Sequence, residues 1–512
     1  MFLHDIFVFA LISVYFIDVF LLFIYGVHLY VMIYLYKKNK HKCISNLEKP
    51  PIDLEKTDLN QIPEVAIQLP IYNEYYVVDR LLDSIRNIRW PKEKLYIQVL
   101  DDSTDETVEK VSKIVKKMQD DGYRIELIHR NNRVGFKAGA LKEGLEKIKA
   151  EYVAIFDADF IPNPDFFVKL IPYFQDPEIG MIQTRWGHIN KNFSLLTYAQ
   201  SLGIDGHFVI EQVARNGSGL WMNFNGTAGI WRKQCIIDAG SWESDTLTED
   251  FDLSYRAELK GWKFRYFSDI VNDAELPVTI QAFKSQQFRW CKGSIQTAIK
   301  LIPRIIKANL PWKIKIEAII HLTNYLVHPL MILNILLTLP LIHIEKWSNY
   351  KFSNLATEFV LFIAFLLSIS TFAPTIFYLY TQKELHQNWK KKIPYMFVLM
   401  MIGIGISVSN TKAFLEAIFG KISNFQRTPK YKIETKNDNY INRSKYKQNI
   451  DPTILVEFLF FIYCLLTIWF AYSYEKYLVI PFMFIYAIGF FYVMFLNIYQ
   501  QIIIKTSFFI KN

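Results

Sequence analysis

The sequence predicts an α/β domain between membrane-spanning helices, and three observations carry this prediction. Strand-like and helix-like segments alternate from about residue 65 to 156, and long apolar runs lie on both sides of residues 43–312. The apolar run 152–156 ends in two carboxylates one residue apart, Asp157 and Asp159. Open α/β sheets bind ligands at the carboxyl ends of their strands, so this pair predicts a ligand site.

The alternation is typical of a mostly parallel sheet with helices on both faces. The predicted strands are 65–69, 95–100, 125–128 and 152–156. The predicted helices include 76–88 and 136–149. Another helix follows Ser103 and Thr104, either of which can cap it. Because parallel strands end at one edge, we expect residues 70–74, Asp102 and Asp157 to lie close together.

Apolar residues are concentrated in runs long enough to cross a bilayer, whose core needs about 20 helical residues. The first run, 7–36, carries one charge, Asp18, and is too long for a cleaved signal peptide. The further runs are 316–342, 358–380, 394–420, 453–472 and 478–504. The predicted domains are a transmembrane helix with its basic flank (1–42), a soluble domain (43–312) and a C-terminal transmembrane region (313–512).

Basic residues beside the apolar runs predict the orientation in the membrane. Lysines follow the first and third runs, and residues 421–449 carry eight Lys or Arg against one Glu and one Asp. These segments should be cytosolic, as should the soluble domain. A spanning run 394–420 would place 421–449 outside, and its second half is polar. We therefore predict about five spans, an interfacial helix at about 405–420 and a cytosolic loop at 421–450, with six spans as the alternative.

The net charge of +9 and the four cysteines indicate which ligands and which cellular compartment fit this chain. Basic residues near spans contact anionic lipids, and no basic and aromatic stripe indicates nucleic acid. The cysteines lack metal-ligand spacing and a disulfide pattern, which fits a reducing cytosol. The sequence has neither a GxGxxG motif after the first strand nor a Walker A motif. It therefore supports neither a dinucleotide-binding fold nor a P-loop NTPase.

Several residue patterns indicate phosphate and sugar chemistry, each with a plainer alternative. Asp157 and Asp159 offer hard oxygen ligands for Mg²⁺ or Mn²⁺, although an isolated pair is more often a polar turn. Lys137 can meet a phosphate, and the alternative is that its segment is only the start of a helix. Arg289 offers a planar fork for phosphate oxygens, and Trp290 offers a flat face for a sugar ring. The alternative for this last pair is packing at the membrane interface.

Seven motifs in order resemble the processive membrane glycosyltransferases of family 2, which include cellulose, chitin and hyaluronan synthases. The motifs are PIYNE (70–74), LDDSTD (100–105), GFKAGAL (135–141), FDADF (156–160), NGTAG (225–229), TED (248–250) and QQFRW (286–290). The likeness covers about 63–300 and is strongest to cellulose-synthase-like enzymes that make β-mannan, glucomannan or glucan. It implies a GT-A nucleotide-sugar-transferase fold with interfacial helices beneath a transmembrane channel. FQRTPK (425–430) resembles their gating-loop motif FxVTxK, with Arg427 in place of Val.

The resemblance also implies a role for individual residues. The expected donor-binding residues are Tyr72, Asn73, Glu74, Asp102, Lys137, Asp157 and Arg289. The expected ligands of Mg²⁺ or Mn²⁺ are Asp157 and Asp159. The expected catalytic residues are Asp250, as general base, and Glu249. The expected acceptor-binding residues are Trp290, Gln286, Gly226 and Thr227. The expected residues of the gating-like loop are Phe425, Arg427, Thr428 and Lys430.

The sequence therefore predicts an inverting hexosyltransferase that uses UDP-glucose or GDP-mannose, extends a β-glycan and extrudes it. It would be a multi-pass protein of the plasma or inner membrane, or of the Golgi in a eukaryote. One alternative is a single-transfer enzyme that glycosylates a lipid. A transporter with a regulatory domain would explain the spans but not the seven motifs. Donor, acceptor, product length and oligomeric state are left open.

Overall fold

The computed structural model describes residues 2–44, 49–347, 354–421, 427–441, 443 and 451–511. Within these ranges, eight strands form one mixed sheet. The strands are β1 Val65–Ile71, β2 Leu95–Asp101, β3 Arg124–His129, β4 Tyr152–Ile155, β5 Phe160–Ile161, β6 Ile179–His188, β7 Gly229–Arg232 and β8 Lys263–Ala274. The four strands predicted from the sequence, β1 to β4, agree with these bounds to within two residues.

The order of strands across the sheet is β3-β2-β1-β4-β7-β6-β8-β5. Strands β3, β2, β1 and β4 are mutually parallel, as predicted. Strand β7 runs antiparallel to both β4 and β6, and β5 runs antiparallel to β8, which the sequence pattern did not predict. Because β7 reverses direction between them, β6 runs parallel to β4. The carboxyl end of β6 therefore lies at the same edge of the sheet as the end of β4.

Both faces of the sheet are covered, which explains why its strands are apolar without strict alternation. Along β1, Val65, Ile67 and Leu69 pack on one face in a core shared with α2 (Val78–Ile85) and α3 (Thr107–Asp120). Ala66 points to the other face, into a core shared with α4 (Phe136–Lys147) and with the end of the N-terminal helix α1 (Phe2–Asn39).

The loop after β2 differs from its prediction. Helix α3 begins at Thr107, whose N–H donates to the Asp105 carboxylate at 2.9 Å, so Ser103 and Thr104 do not cap it. They bind Asn73 instead. The Asn73 N–H donates to Ser103 Oγ, and the Thr104 N–H donates to Asn73 Oδ1, both at 2.8 Å. The ends of β1 and β2 are thereby tied together.

The remaining α-helices surround the sheet and continue into the C-terminal region. They are α5 Phe166–Leu170, α6 Leu195–Asp205, α7 Gln212–Gly217, α8 Lys233–Asp238, α9 Glu249–Leu259, α10 Ile280–Lys307, α11 Trp312–Leu322, α12 Val327–Trp347, α13 Asn354–Leu385, α14 Ile393–Gly405, α15 Ser407–Ile418, α16 Thr453–Ser473 and α17 Ile480–Lys511. A π-helical turn, Gly206–Glu211, joins α6 to α7.

Four helices among the described residues are long and apolar enough to cross a membrane. They are Ile6–Cys43, Asn324–Ile344, Thr453–Ser473 and Tyr477–Ile504. The predicted run 316–342 is interrupted, because α11 ends at Leu322 and a short 3₁₀ turn precedes α12. The run 394–420 is two helices, α14 and α15, with a bend of 40° between them. The number of spans stays a prediction.

Helix α10 is attached at two points to the C-terminal helices. The buried Lys284 donates to Thr453 Oγ1 at 2.6 Å and pairs with Glu457, both on α16. The buried Lys292 pairs with Glu416 of α15 at 3.0 Å. Since charges of this kind are costly to leave unpaired, they hold α10 against α15 and α16. Helix α10 carries the QQFRW motif.

Candidate active site

One cavity brings together residues from all seven motifs and the loop after α15. Its sequence-predicted lining residues are Tyr72, Glu74, Asp102, Lys137, Asp157, Asp159, Gly226, Glu249, Asp250, Gln286, Arg289, Trp290, Arg427, Thr428 and Lys430. The acidic groups after β2, after β4 and at the start of α9 thus share one cavity with the tryptophan of α10. Phe425 lies outside the described residues.

Two carboxylates at the end of β4 are each balanced by a lysine. Asp157 Oδ1 lies 2.6 Å from Lys137 Nζ, and Asp159 Oδ2 lies 2.6 Å from Lys430 Nζ. Burial raises the pKa of Asp157, and Lys137 offsets only part of this effect. Burial acts in the same direction on Asp159, but Lys430 and Arg80 hold its pKa below the ordinary value. Carboxylate oxygens are the ligands that Mg²⁺ and Mn²⁺ prefer, and a divalent ion bound by this pair would take the place of the two lysine ammonium groups.

Two of the predicted site residues do not line the cavity and act behind it. Thr227, predicted to bind the acceptor, is buried, and its Oγ1 accepts the Asp157 N–H at 2.9 Å. Asn73, predicted to bind the donor, adopts a left-handed backbone (φ 52°) and joins the loops after β1 and β2. Both residues therefore position neighbours that line the cavity.

Asp250 lies in the first turn of α9, against the backbone of the NGTAG segment. Its Oδ1 accepts the N–H of Phe251 at 2.9 Å. A Cβ on Gly226 would lie 2.9 Å from Asp250 Oδ2, and Gly226 has a φ of 83°, so this position suits glycine on both counts. Burial raises the pKa of Asp250 to about 7, with Glu249 acting in the same direction and Lys137 opposing it. A carboxylate with this pKa is suited to accept a proton near neutral pH.

If Asp250 is the general base, kcat/KM should fall about tenfold for each pH unit below pH 7, because the protonated carboxyl cannot accept a proton. The check is a pH–rate profile of the purified full chain. Burial also raises the pKa of Glu74 to about 7, with Arg427 opposing, so the Glu74→Gln profile serves as the control. The acidic limb should survive in Glu74→Gln. A wild-type profile that is flat below pH 7 would contradict the role of Asp250.

Two arginines outside the seven motifs, Arg130 and Arg133, contact cavity residues that follow β1 and β2. Asp102 accepts two hydrogen bonds from Arg130, at 2.7 and 2.6 Å. The guanidinium carbon of Arg133 lies 3.3 Å from the centre of the Tyr72 ring, and Arg133 also lines the cavity. Sequence reasoning missed both arginines. Their position directly after the end of β3 is the signal that could have found them.

Gln286, Arg289 and Trp290 lie on one face of α10, because residues three and four apart are neighbours on a helix. One turn later, Gly293 packs against Thr248, the residue before Glu249. A Cβ on Gly293 would lie 2.5 Å from Thr248 Cγ2 and 2.8 Å from its backbone nitrogen. The small size of Gly293 therefore lets α10 approach the start of α9.

Gly293→Ala should lower kcat/KM by about tenfold to a hundredfold while the chain stays folded. The added methyl group must push Thr248, and with it Asp250, out of place, and displacements of about 1 Å are costly to catalysis. Gly403→Ala is the matched control, since a Cβ there meets nothing within 4 Å. Equal kcat/KM values for the two variants would show that the contact of α10 with Thr248 does not position the site.

Residues 63–293 match the family described as glycosyltransferase like family 2. The chain contains a glycosyltransferase family 2 domain. Its mixed sheet, with helices on both faces, is the GT-A-like fold. The family match ends within α10, so the helices that follow lie outside it.

Curated relatives resemble half or more of the chain. The chain is 37% identical over 322 residues to probable glucomannan 4-β-mannosyltransferase 9 of Oryza sativa subsp. japonica, covering 60% of this chain and 61% of that protein. It is 42% identical over 264 residues to glucomannan 4-β-mannosyltransferase 2 of Arabidopsis thaliana, covering 51% and 49%. The chain thus spans about half to three fifths of the length of these relatives.

Among solved structures, the chain is similar to a mannosyltransferase from Pyrobaculum calidifontis, solved in complex with GDP-mannose and Mn²⁺. The identity is 18% and the TM-score is 0.49, and the match covers 82% of this chain and all of that one.

Proposed function

We propose that this family 2 glycosyltransferase is an inverting hexosyltransferase that extends a β-glycan from a nucleotide sugar. The proposal depends on one observation, which is that Asp157, Asp159, Asp250 and Trp290 line the same cavity. A metal-binding pair, a base and a stacking face for a sugar are the parts that such a transfer requires. The curated relatives are named mannosyltransferases, which favours mannose as the transferred hexose and therefore, of the two expected donors, GDP-mannose.

The leaving group of the reaction is a nucleoside diphosphate, and positive charge around it promotes its departure. Asp157 and Asp159 would hold Mg²⁺ or Mn²⁺, which supplies charge neutralisation to the diphosphate. Lys137 lies between Asp157 and the start of α9, and Arg289 faces the same acids from α10. Both side chains can bind phosphate oxygens without a change of protonation. Tyr72, Arg133 and Asp102 would hold the nucleoside.

Transfer takes place in one displacement. The Asp250 carboxylate accepts the proton of an acceptor hydroxyl held beside Trp290. The hydroxyl oxygen forms a bond to the anomeric carbon while the bond from that carbon to the diphosphate oxygen breaks, and its electron pair leaves with the diphosphate. Attack from the opposite side inverts the configuration, so an α-linked donor gives a β-linkage. Glu249 lies beside Asp250 and keeps negative charge near the proton being transferred.

The loop after α15 would regulate access of the donor. Arg427 binds Glu74 at 2.9 Å and Lys430 binds Asp159 at 2.6 Å, so the described part of the loop lies in the cavity. Entry of a nucleotide sugar would exchange these contacts for contacts with its phosphates. The bent pair α14 and α15 would lie at the cytosolic membrane surface, with the catalytic domain in the cytosol and the glycan leaving between the spanning helices.

Membrane vesicles that contain the full chain test this function. They are supplied with labelled GDP-mannose or UDP-glucose and with Mg²⁺ or Mn²⁺, and the product is sized and digested with linkage-specific glycanases. The expected product is a water-insoluble or high-molecular-weight glycan that β-mannanase or β-glucanase digests. Vesicles with Asp250→Asn are the control. A product soluble in chloroform would instead assign a single transfer to a lipid, and no product from either donor would contradict the proposal.

A further inference from the structure

Two residues of β6, Trp186 and His188, line the cavity and have no part in the steps above. They are two positions apart on one strand, so their side chains project from the same face of the sheet. Gly187 between them is tightly packed, since a Cβ there would lie 1.9 Å from Asp273 Oδ1. The strand backbone between the two residues is therefore rigid, and their side chains line the cavity from a fixed position.

The imidazole of His188 is held in one orientation. Its Nε2 lies 3.0 Å from Asp205 Oδ1, and the other carboxylate oxygen of Asp205 accepts a hydrogen bond from Gln382 at 3.3 Å. Only 5% of the His188 side chain is exposed. Because a carboxylate accepts hydrogen bonds, Nε2 carries the proton and Nδ1 presents a lone pair in the neutral ring. In the described part of the chain, Nδ1 has no hydrogen-bond partner.

The indole of Trp186 is also fixed, and it offers the complementary group. Its ring lies between Phe160 and Phe208, with centroid distances of 5.2 and 4.9 Å. Its Nε1–H finds no acceptor among the described residues. Buried polar groups without a partner are uncommon in proteins and call for an explanation. The strand thus carries one hydrogen-bond donor and, two positions later, one acceptor, and a hydroxyl group both donates and accepts.

The order of strands places this pair on the opposite side of β4 from Tyr72 and Asp102. Tyr72 and Asp102 follow β1 and β2, on one side of β4 and its carboxylates. Strand β6 lies on the other side of β4, beyond β7, and ends at the same edge. Phe160, which packs on Trp186, directly follows Asp159. A donor with its nucleoside at β1 and β2 and its diphosphate at β4 would extend its hexose towards β6.

We propose that Trp186 and His188 bind a hydroxyl group of the donor hexose and select which hexose is transferred. This inference rests on the proposed function, because it requires a nucleotide sugar in the cavity. A site with fixed hydrogen-bonding groups discriminates strongly between hydroxyl arrangements, since a wrong epimer leaves those groups unpaired. The apolar faces of Trp186 and Phe160 would exclude water from the same hydroxyl.

The test compares binding of GDP-mannose and of GDP to the full chain in detergent, by calorimetry with Mn²⁺. GDP has no hexose, so it reports the rest of the site. Trp186→Phe keeps an aromatic ring and removes the N–H, and it should weaken GDP-mannose by about threefold to tenfold with GDP changed less than about twofold. Trp242→Phe is the matched control. Its Nε1 also lacks a partner among the described residues, but it lies in the core away from the cavity, and both affinities should hold.

His188→Gln is the second variant. Its amide nitrogen can still donate to Asp205 near the position of Nε2, but no acceptor remains at the position of Nδ1, so the same selective loss is expected. Selectivity for GDP-mannose over GDP-glucose should fall in both cavity variants. Parallel losses for GDP and GDP-mannose, or no loss for either, would overturn the inference. If the wild-type chain binds neither GDP-mannose nor UDP-glucose, the proposed function fails, and the inference fails with it.

Discussion

Asp250→Asn should lower kcat by about a hundredfold to ten-thousandfold, the range that a positioned general base contributes. The amide has nearly the same shape as the carboxylate but cannot accept the proton of the acceptor hydroxyl. Its Oδ1 can still accept the N–H of Phe251, so the start of α9 should keep its structure. The measurement is turnover of labelled donor by the purified full chain, together with donor affinity by calorimetry.

Donor affinity separates a catalytic role of Asp250 from a structural one. GDP-mannose should bind Asp250→Asn within a few-fold of wild type, because Asp157, Lys137 and Arg289 are unchanged. Asp238→Asn is the control for the substitution itself, since Asp238 is exposed on α8, and it should keep full turnover. An Asp250→Asn variant that retained most of its activity would remove Asp250 from the role of base.

Asp159→Asn should lower kcat/KM by about a thousandfold, because a metal ion typically contributes several kcal/mol to stabilising charge on a leaving group. The loss should fall mainly on donor affinity and on the response to Mn²⁺. The variant also leaves Lys430 without its carboxylate partner, so the loop after α15 should be displaced more readily. A Mn²⁺ titration of turnover at fixed donor concentration measures the effect.

Asp165→Asn provides the matched comparison for the metal experiment. Asp165 lies at the start of α5, pairs with Arg89 at 2.7 Å and has no part in the cavity. Its variant should titrate with Mn²⁺ as the wild type does. If Asp159→Asn retained the wild-type metal response, the divalent ion would not bind at the end of β4.

The half of the sheet that carries the acids could be predicted from the sequence. Strands β1, β2 and β4 are short apolar runs that each end in a polar group, and parallel strands must end at one edge. That geometry alone predicts that Glu74, Asp102 and Asp157 lie close together. The second half could not be derived this way. Strands β6 and β8 pair across about 75 residues of intervening chain, and no local pattern indicates that β7 reverses direction between β4 and β6.

The candidate site, like the sheet, could be predicted from the sequence only in part. Motif order indicated that α9 and α10 share a cavity with Asp157 and Asp159, and the cavity lining agrees; Gly293 shows how closely α10 approaches the start of α9. It did not indicate that Thr227 is buried behind Asp157 rather than beside the acceptor. Nor did it indicate that Lys430 pairs with Asp159, since the two are separated by most of the chain. Contacts of this kind depend on how the C-terminal helices pack against the domain, which composition and periodicity do not specify.

The anomeric configuration of the product tests the central claim most directly. The claim is that Asp250 acts as the only base in one displacement beside a diphosphate held at Asp157 and Asp159. Proton NMR of the first glycosidic bond formed from α-linked GDP-mannose or UDP-glucose should show a β-linkage at every new residue. An α-linked product, or a hexose attached covalently to the chain during turnover, would contradict it.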